Sequence, residues 1–189
     1  IAVGLQNKVL GEKASSFGHR NLVESYHDIA IGHDNLLASS SMTNSSGQTL
    51  TGANNALGSE NILVGTENNV TGNYNNVGGA SYDEASLSKT SSGNPLQNVT
   101  VLGNRNNVNS ASHLNTDTTV LGSSSTLFGS RNNIIGTYNR IGEGTIGNTS
   151  TFKEVTNANV LGSENVVKSN NTGIVGINRS SIGYGLGIV

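Results

Sequence analysis

The chain has 189 residues and a net charge of −2, and only 12% of its residues are charged, about half the usual share for a globular domain. It contains no Cys, which excludes disulfide frameworks and thiolate zinc sites, and it lacks the basic patch and clustered aromatics of a nucleic-acid binder. Its apolar residues are periodic, which argues against disorder, and no stretch approaches the roughly 20 apolar residues of a membrane-spanning helix.

Gly, Asn, Ser and Thr make up the difference, and they recur with a period of seven. The repeats begin at 4, 11, 18, 25 and 32; after an insertion at 39–50 they resume at 51, 58, 65 and 72. A second insertion, 79–95, precedes repeats at 96 and 103, and a short one, 110–114, precedes those at 115, 122, 129 and 136. A fourth, 143–154, leads to repeats at 155, 162, 169, 176 and 183. The heptad blocks are thus 4–38, 51–78, 96–109, 115–142 and 155–189, within one domain spanning 1–189. The chain opens inside one repeat, IAVG, and stops inside another, GLGIV; with no signal peptide at its start, it reads as a piece of a longer protein.

An uninterrupted strand alternates faces every two residues, so an odd repeat forces a turn within each unit. A coiled coil also repeats in sevens, but a Gly every two turns would cost each helix roughly 1 kcal/mol per Gly. Each heptad therefore reads as a short strand plus a glycine-assisted turn. The first position is Gly in fourteen of twenty heptads, and the exceptions include all four that follow an insertion (Thr51, Leu96, Asn115, Val155). The sixth is Val, Ile or Leu in sixteen, the mark of a buried strand residue. The fourth is Asn in eleven; Asn accepts a left-handed backbone, and stacked copies form amide ladders.

Two strands per coil of about 14 residues predict an all-β parallel solenoid with its core between two sheets. Numbered from zero, the odd heptads carry apolar residues at the outward seventh position, among them Ile31, Leu57, Leu102, Leu121, Ile135, Leu161 and Val175. The even heptads are mixed there. A one-sided apolar stripe predicts an interface, most economically with further copies of the chain.

The repeats GSENILVGTENNVTGNYNNVG (58–78) and VLGSSSTLFGSRNNIIG (120–136) resemble the YadA-like head domains of trimeric autotransporter adhesins, surface fibres of Gram-negative bacteria. The resemblance covers about three quarters of the chain. It implies a left-handed parallel β-roll assembled as a homotrimer and displayed at the cell surface, joined to the outer membrane only through a stalk and C-terminal anchor outside this chain. It also implies attachment to a host cell-surface receptor, an extracellular-matrix protein or other bacteria. The collagen-associated motif NSVAIGxxS of that family has its nearest counterpart in DIAIGHDN at 28–35, which lacks the leading Asn and the closing Ser.

No phosphate loop, calcium repeat or catalytic triad can be assembled, so no catalytic residue, metal ligand or cofactor is expected. His19 and His33 sit fourteen residues apart without a third ligand in register. The candidate binding residues are Tyr82, Asp83, Glu84 and Lys89 in the longest insertion, and Tyr74 and Tyr138, which share an exposed turn position. Because all four insertions follow even heptads, they are expected to leave the roll at one edge, unless a 12-residue insertion hides a degenerate heptad such as 44–50. A left-handed β-helix acyltransferase would repeat in sixes, and an ice-binding solenoid would show a regular Thr ladder.

Overall fold

The computed structural model describes residues 1–38, 42–43, 49–50, 53–79, 82–83, 88–89, 95–110, 116–145, 148–181 and 187–188. Their regular structure is all β, and the chain passes back and forth between two parallel sheets. The first sheet comprises eleven strands, starting with Ala2–Leu5, Ser15–His19, Ile29–His33, Asn55–Ser59 and Asn69–Asn73. It continues through Val99–Leu102, Thr118–Leu121, Asn133–Ile135, Asn159–Ser163, Gly173–Ile177 and Gly187–Ile188. The even heptads supply the second sheet, in the path Lys8–Val9, Leu22–Val23, Leu36–Ala38, Ile62–Thr66, Asn76–Val77, Asn107–Asn109, Thr126–Ser130, Arg140–Ile141, Val166–Val167 and Ser180–Ser181.

Register follows the repeat. Within a block, Cα partners are fourteen residues apart, as in Phe17↔Ile31 and Thr71↔Leu57. Across the first insertion, Ile31 pairs with Leu57, one such interval plus the 12 inserted residues. Burial sets this phase, because a one-residue slip would turn every sixth-position side chain out to water. Those side chains form the core: Val23, Leu37, Leu63, Val77, Val108, Leu127 and Ile141 from the second sheet meet Ala30, Val70, Val101, Val120, Ile134, Val160 and Ile174 from the first.

The turns correct one expectation. In each of the first nineteen heptads the non-glycine residue with left-handed backbone is the third, from Gln6 (φ 55°) to Asn178 (φ 56°), and not the Asn at the fourth. That strain, on the order of 1 kcal/mol each, is offset by cross-strand bonds: Tyr74 N–H donates to Ser59 O (2.9 Å) and Arg105 N–H to Asn73 O (2.9 Å). The fourth-position Asn points inward and builds the expected ladder. Asn35 donates from both N–H (3.0 Å) and Nδ2 (2.9 Å) to Asn21 Oδ1, and its Nδ2 also reaches Gly58 O (2.8 Å). Asn61, Asn75 and Asn106 repeat the pattern fully buried, so amides that would be costly unpaired are satisfied by one another.

The first-position glycines also divide by parity. Every even heptad begins with Gly, and all six exceptions (Ser25, Thr51, Leu96, Asn115, Val155 and Ser169) begin odd ones. At the turn from the first sheet to the second, Gly58 has φ +134°, and a Cβ there would strike the carbonyl of Gly72 one strand away. All four insertions enter at the opposite kind of turn, after Leu36–Ala38, Asn76–Val77, Asn107–Asn109 and Arg140–Ile141 of the second sheet.

Three insertions contain antiparallel hairpins: Met42–Thr43 with Thr49–Leu50, Tyr82–Asp83 with Ser88–Lys89, and Glu143–Thr145 with Asn148–Lys153. Parity therefore survives, since Ile29–His33 pairs directly with Asn55–Ser59 and Asn133–Ile135 with Asn159–Ser163. Outward residues of the second sheet are buried near these roots. Leu22, Leu36, Ala38 and Val64 form a cluster apart from the main core, and Phe128 is 3% exposed. Gly142 lies against both the Phe128 backbone and the Lys153 carbonyl, and the third hairpin runs beside the Thr126–Ser130 strand.

Candidate interaction surfaces

The outer face of the first sheet is bare in the single chain. Its seventh-position residues line up strand by strand as Phe17, Ile31, Leu57, Thr71, Leu102, Leu121, Ile135, Leu161 and Val175. Six of the seven proposed interface residues are exposed, from Ile31 at 42% to Leu57 and Leu161 at 50%; Leu121 is the half-buried exception. A parallel polar column runs beside them, with Asn55 Nδ2 donating to Asn69 Oδ1 (2.9 Å) and Asn133 Nδ2 to Asn159 Oδ1 (3.0 Å). At Gly173 this column loses its side chain, leaving a depression lined by Ile135, Leu161 and Val175.

The candidate binding residues fall on two separate surfaces. Tyr82 is the backbone register partner of Lys89, and Asp83 of Ser88, in the hairpin of the 79–95 insertion; Glu84 lies outside the described residues. Tyr74 (51% exposed) and Tyr138 (65%) stand instead on the uninterrupted turns from the first sheet to the second. Arg105, on the next turn along the same edge, holds its guanidinium 5.6 Å from the Tyr74 ring centre. Sequence reasoning passed over Arg105, although it occupies the same third position as both tyrosines.

Among the charged groups, Glu143 anchors the third hairpin to the second sheet: Lys168 Nζ lies 2.5 Å from Oε1 and Lys153 Nζ 3.5 Å from Oε2. The Lys168 ammonium is the main cause holding its carboxyl below the usual range. His19 and His33 are register partners, as expected. His19 Nε2 pairs with Gln6 Oε1 (3.2 Å), His33 Nδ1 with Asp34 Oδ2 (3.0 Å), and Arg20 Nε donates to Asp34 Oδ1 (2.7 Å). Among the described residues, no three His, Cys, Asp or Glu side chains converge as metal ligands.

Asp28 occupies a fourth-position ladder site and is fully buried. Its Oδ1 accepts from Asn54 N–H (2.8 Å) and Nδ2 (3.2 Å), while Oδ2 has no partner. Ser25 sits close enough to favour the ionised form, yet its Oγ does not reach hydrogen-bonding geometry. Burial dominates and pushes the pKa up to about 6 from 3.8. A raised folded-state pKa means the fold bears no penalty below pH 4, where Asp28 is protonated in both states, and the full penalty above pH 6, where it is ionised in both. Stability is therefore expected to fall as pH rises from about 4 to 6, by on the order of 2–3 kcal/mol. Asp28→Asn should remove that slope and raise the melting temperature at pH 7. Urea titrations across this pH range check it, and an Asn variant less stable at pH 7 would contradict it.

Fold and surfaces together define an all-β repeat protein of two parallel sheets, with one sheet face exposed and largely apolar and the other flanked in part by the third hairpin. Comparison with family models, curated proteins and solved structures found no match to this chain.

Proposed function

We propose that the chain is the head of a cell-surface adhesin, a left-handed roll of fourteen-residue coils that assembles as a homotrimer and attaches a Gram-negative bacterium to a host receptor, matrix protein or neighbouring cell. The observation that carries this reading is the in-register apolar ladder on the first sheet, exposed over nearly its whole length. Water-facing patches of this extent mark interfaces, and a surface repeating itself strand after strand suits copies of the same chain. The partial cover on the second sheet leaves the first as the face free to associate. Attachment then rests on weak contacts multiplied by three linked copies.

Light scattering at micromolar concentration tests the assembly. A mass of three chains is expected, falling to one in the double variant Ile135→Lys, Leu161→Lys, whose melt should persist because both side chains are already outside the core. A folded monomer in the parent protein would overturn the reading. Replacing 80–94 with a short Gly-Ser turn, in protein shown to remain trimeric, then measures how much cell adhesion depends on the Tyr82 hairpin.

A further inference from the structure

The turns from the first sheet to the second form a strip that no insertion interrupts. From Glu60 onward its third-position residues read Glu60, Tyr74, Arg105, Ser124, Tyr138 and Glu164, each carried by the next strand in register. Tyr74 and Tyr138 are three strand steps apart, about 14 Å at the usual spacing, with Arg105 and the small Ser124 between them. The second-position side chains beside them are amides and hydroxyls, several of them bonded to the backbone or side chain of the next strand. Ser59 N–H donates to Asn73 Oδ1 (2.9 Å), Asn73 N–H to Asn104 Oδ1 (2.9 Å), and Thr137 Oγ1 meets Ser163 Oγ (3.1 Å).

From this strip we infer a binding site for a short oligosaccharide carrying one carboxylate, with Tyr74 and Tyr138 as stacking platforms and Arg105 as the anion's partner. The inference deepens the adhesin reading and rests on it. Sugars present hydroxyls at a repeat close to a strand step, and polar groups already fixed by the ladder lose little entropy on meeting them. The two tyrosines supply flat faces for pyranose rings, and a planar guanidinium matches a carboxylate with two parallel bonds. Between Ser59 and Ser163 the second and third positions hold no aliphatic side chain, whereas the centre of a protein interface is mainly apolar. Glu60 and Glu164, one step beyond each tyrosine, disfavour a chain charged along its length.

The fold itself supplies variants that preserve the backbone. Asn occupies the same left-handed position at Asn98, Asn157, Asn171 and Asn178, and Gln at Gln6, so Tyr138→Asn, Tyr74→Asn and Arg105→Gln keep residues the turn accepts. Calorimetry on the assembled protein should show binding of two trisaccharides, one ending in sialic acid and one in glucuronic acid, with either sufficient to support the site. Neutral cellotriose and a heparin tetrasaccharide should bind more weakly. Arg105→Gln and Tyr138→Asn should each weaken binding by about tenfold, the loss of one charge-assisted or stacking contact, and Arg131→Gln, at the same position on the other edge, should leave it unchanged. Binding of neither acidic sugar, or strongest binding of heparin, overturns the inference. Cell adhesion lost in Tyr138→Asn without sugar binding overturns it in favour of a protein ligand and leaves the adhesin reading standing; sugar binding without cell adhesion keeps the site and overturns that reading.

Discussion

Ile134→Asp is expected to abolish the folded state or to lower its stability by about 4–5 kcal/mol, whereas Asn133→Asp changes it by no more than about 0.5 kcal/mol. Ile134 is wholly buried, flanked in register by Val120 and Val160. A carboxylate there would meet only side chains that offer it no hydrogen bond, so it must either be protonated or open the two sheets. Its neighbour Asn133 faces out, and its one side-chain bond, to Asn159, is exposed. Thermal and urea melts followed by circular dichroism separate the two. Equal midpoints would mean that Ile134 is not buried between the sheets, and a reversed order that the alternation of faces is one residue out of phase.

Gly103→Ala is expected to cost about 3 kcal/mol or more, from backbone strain and a steric clash together, while Gly173→Ala should lie within about 1 kcal/mol of the parent. The difference is one of place. Gly103 has φ +139°, and its added Cβ would lie 2.7 Å from the Gly122 carbonyl carbon, which a backbone already bonded on both sides does not yield. At Gly173 the same atom meets nothing within 4 Å. Because Gly103 belongs to a column in which each glycine abuts the next, its replacement should also separate the strands on either side of it. The measurement is the urea midpoint of each variant, and two equally mild losses would mean that the strands do not approach as closely as the glycine column implies.

Much of the fold was legible without coordinates because one variable, the face on which a side chain lies, controls both burial and register. The sixth-position residues had to be inside once the repeat was seven, and the phase that buries Val70, Ile134 and Val160 also turns Leu57, Ile135 and Leu161 outward. The same phase carries across the insertions, where Ile31 pairs with Leu57 and Ile135 with Leu161. The surface holding Tyr74 and Tyr138 was visible as a shared repeat position. That Arg105 lies over Tyr74 was not, because this depends on which strands become neighbours across the 79–95 insertion.

What the sequence by itself determined is the period, the composition of the core and the apolar stripe, all of them consequences of hydrophobic spacing along a single chain. What only the tertiary structure decided are the features that depend on the next strand over. The left-handed turn falls on the third position and not on the Asn beside it, because that Asn is committed to the amide above and below. Glycine is obligatory on one edge and dispensable on the other, because only on the first does a neighbouring carbonyl occupy the place of a Cβ. Asp28 is perturbed because it stands in a ladder built for amides, and no spacing within one heptad reveals that its second oxygen meets no donor.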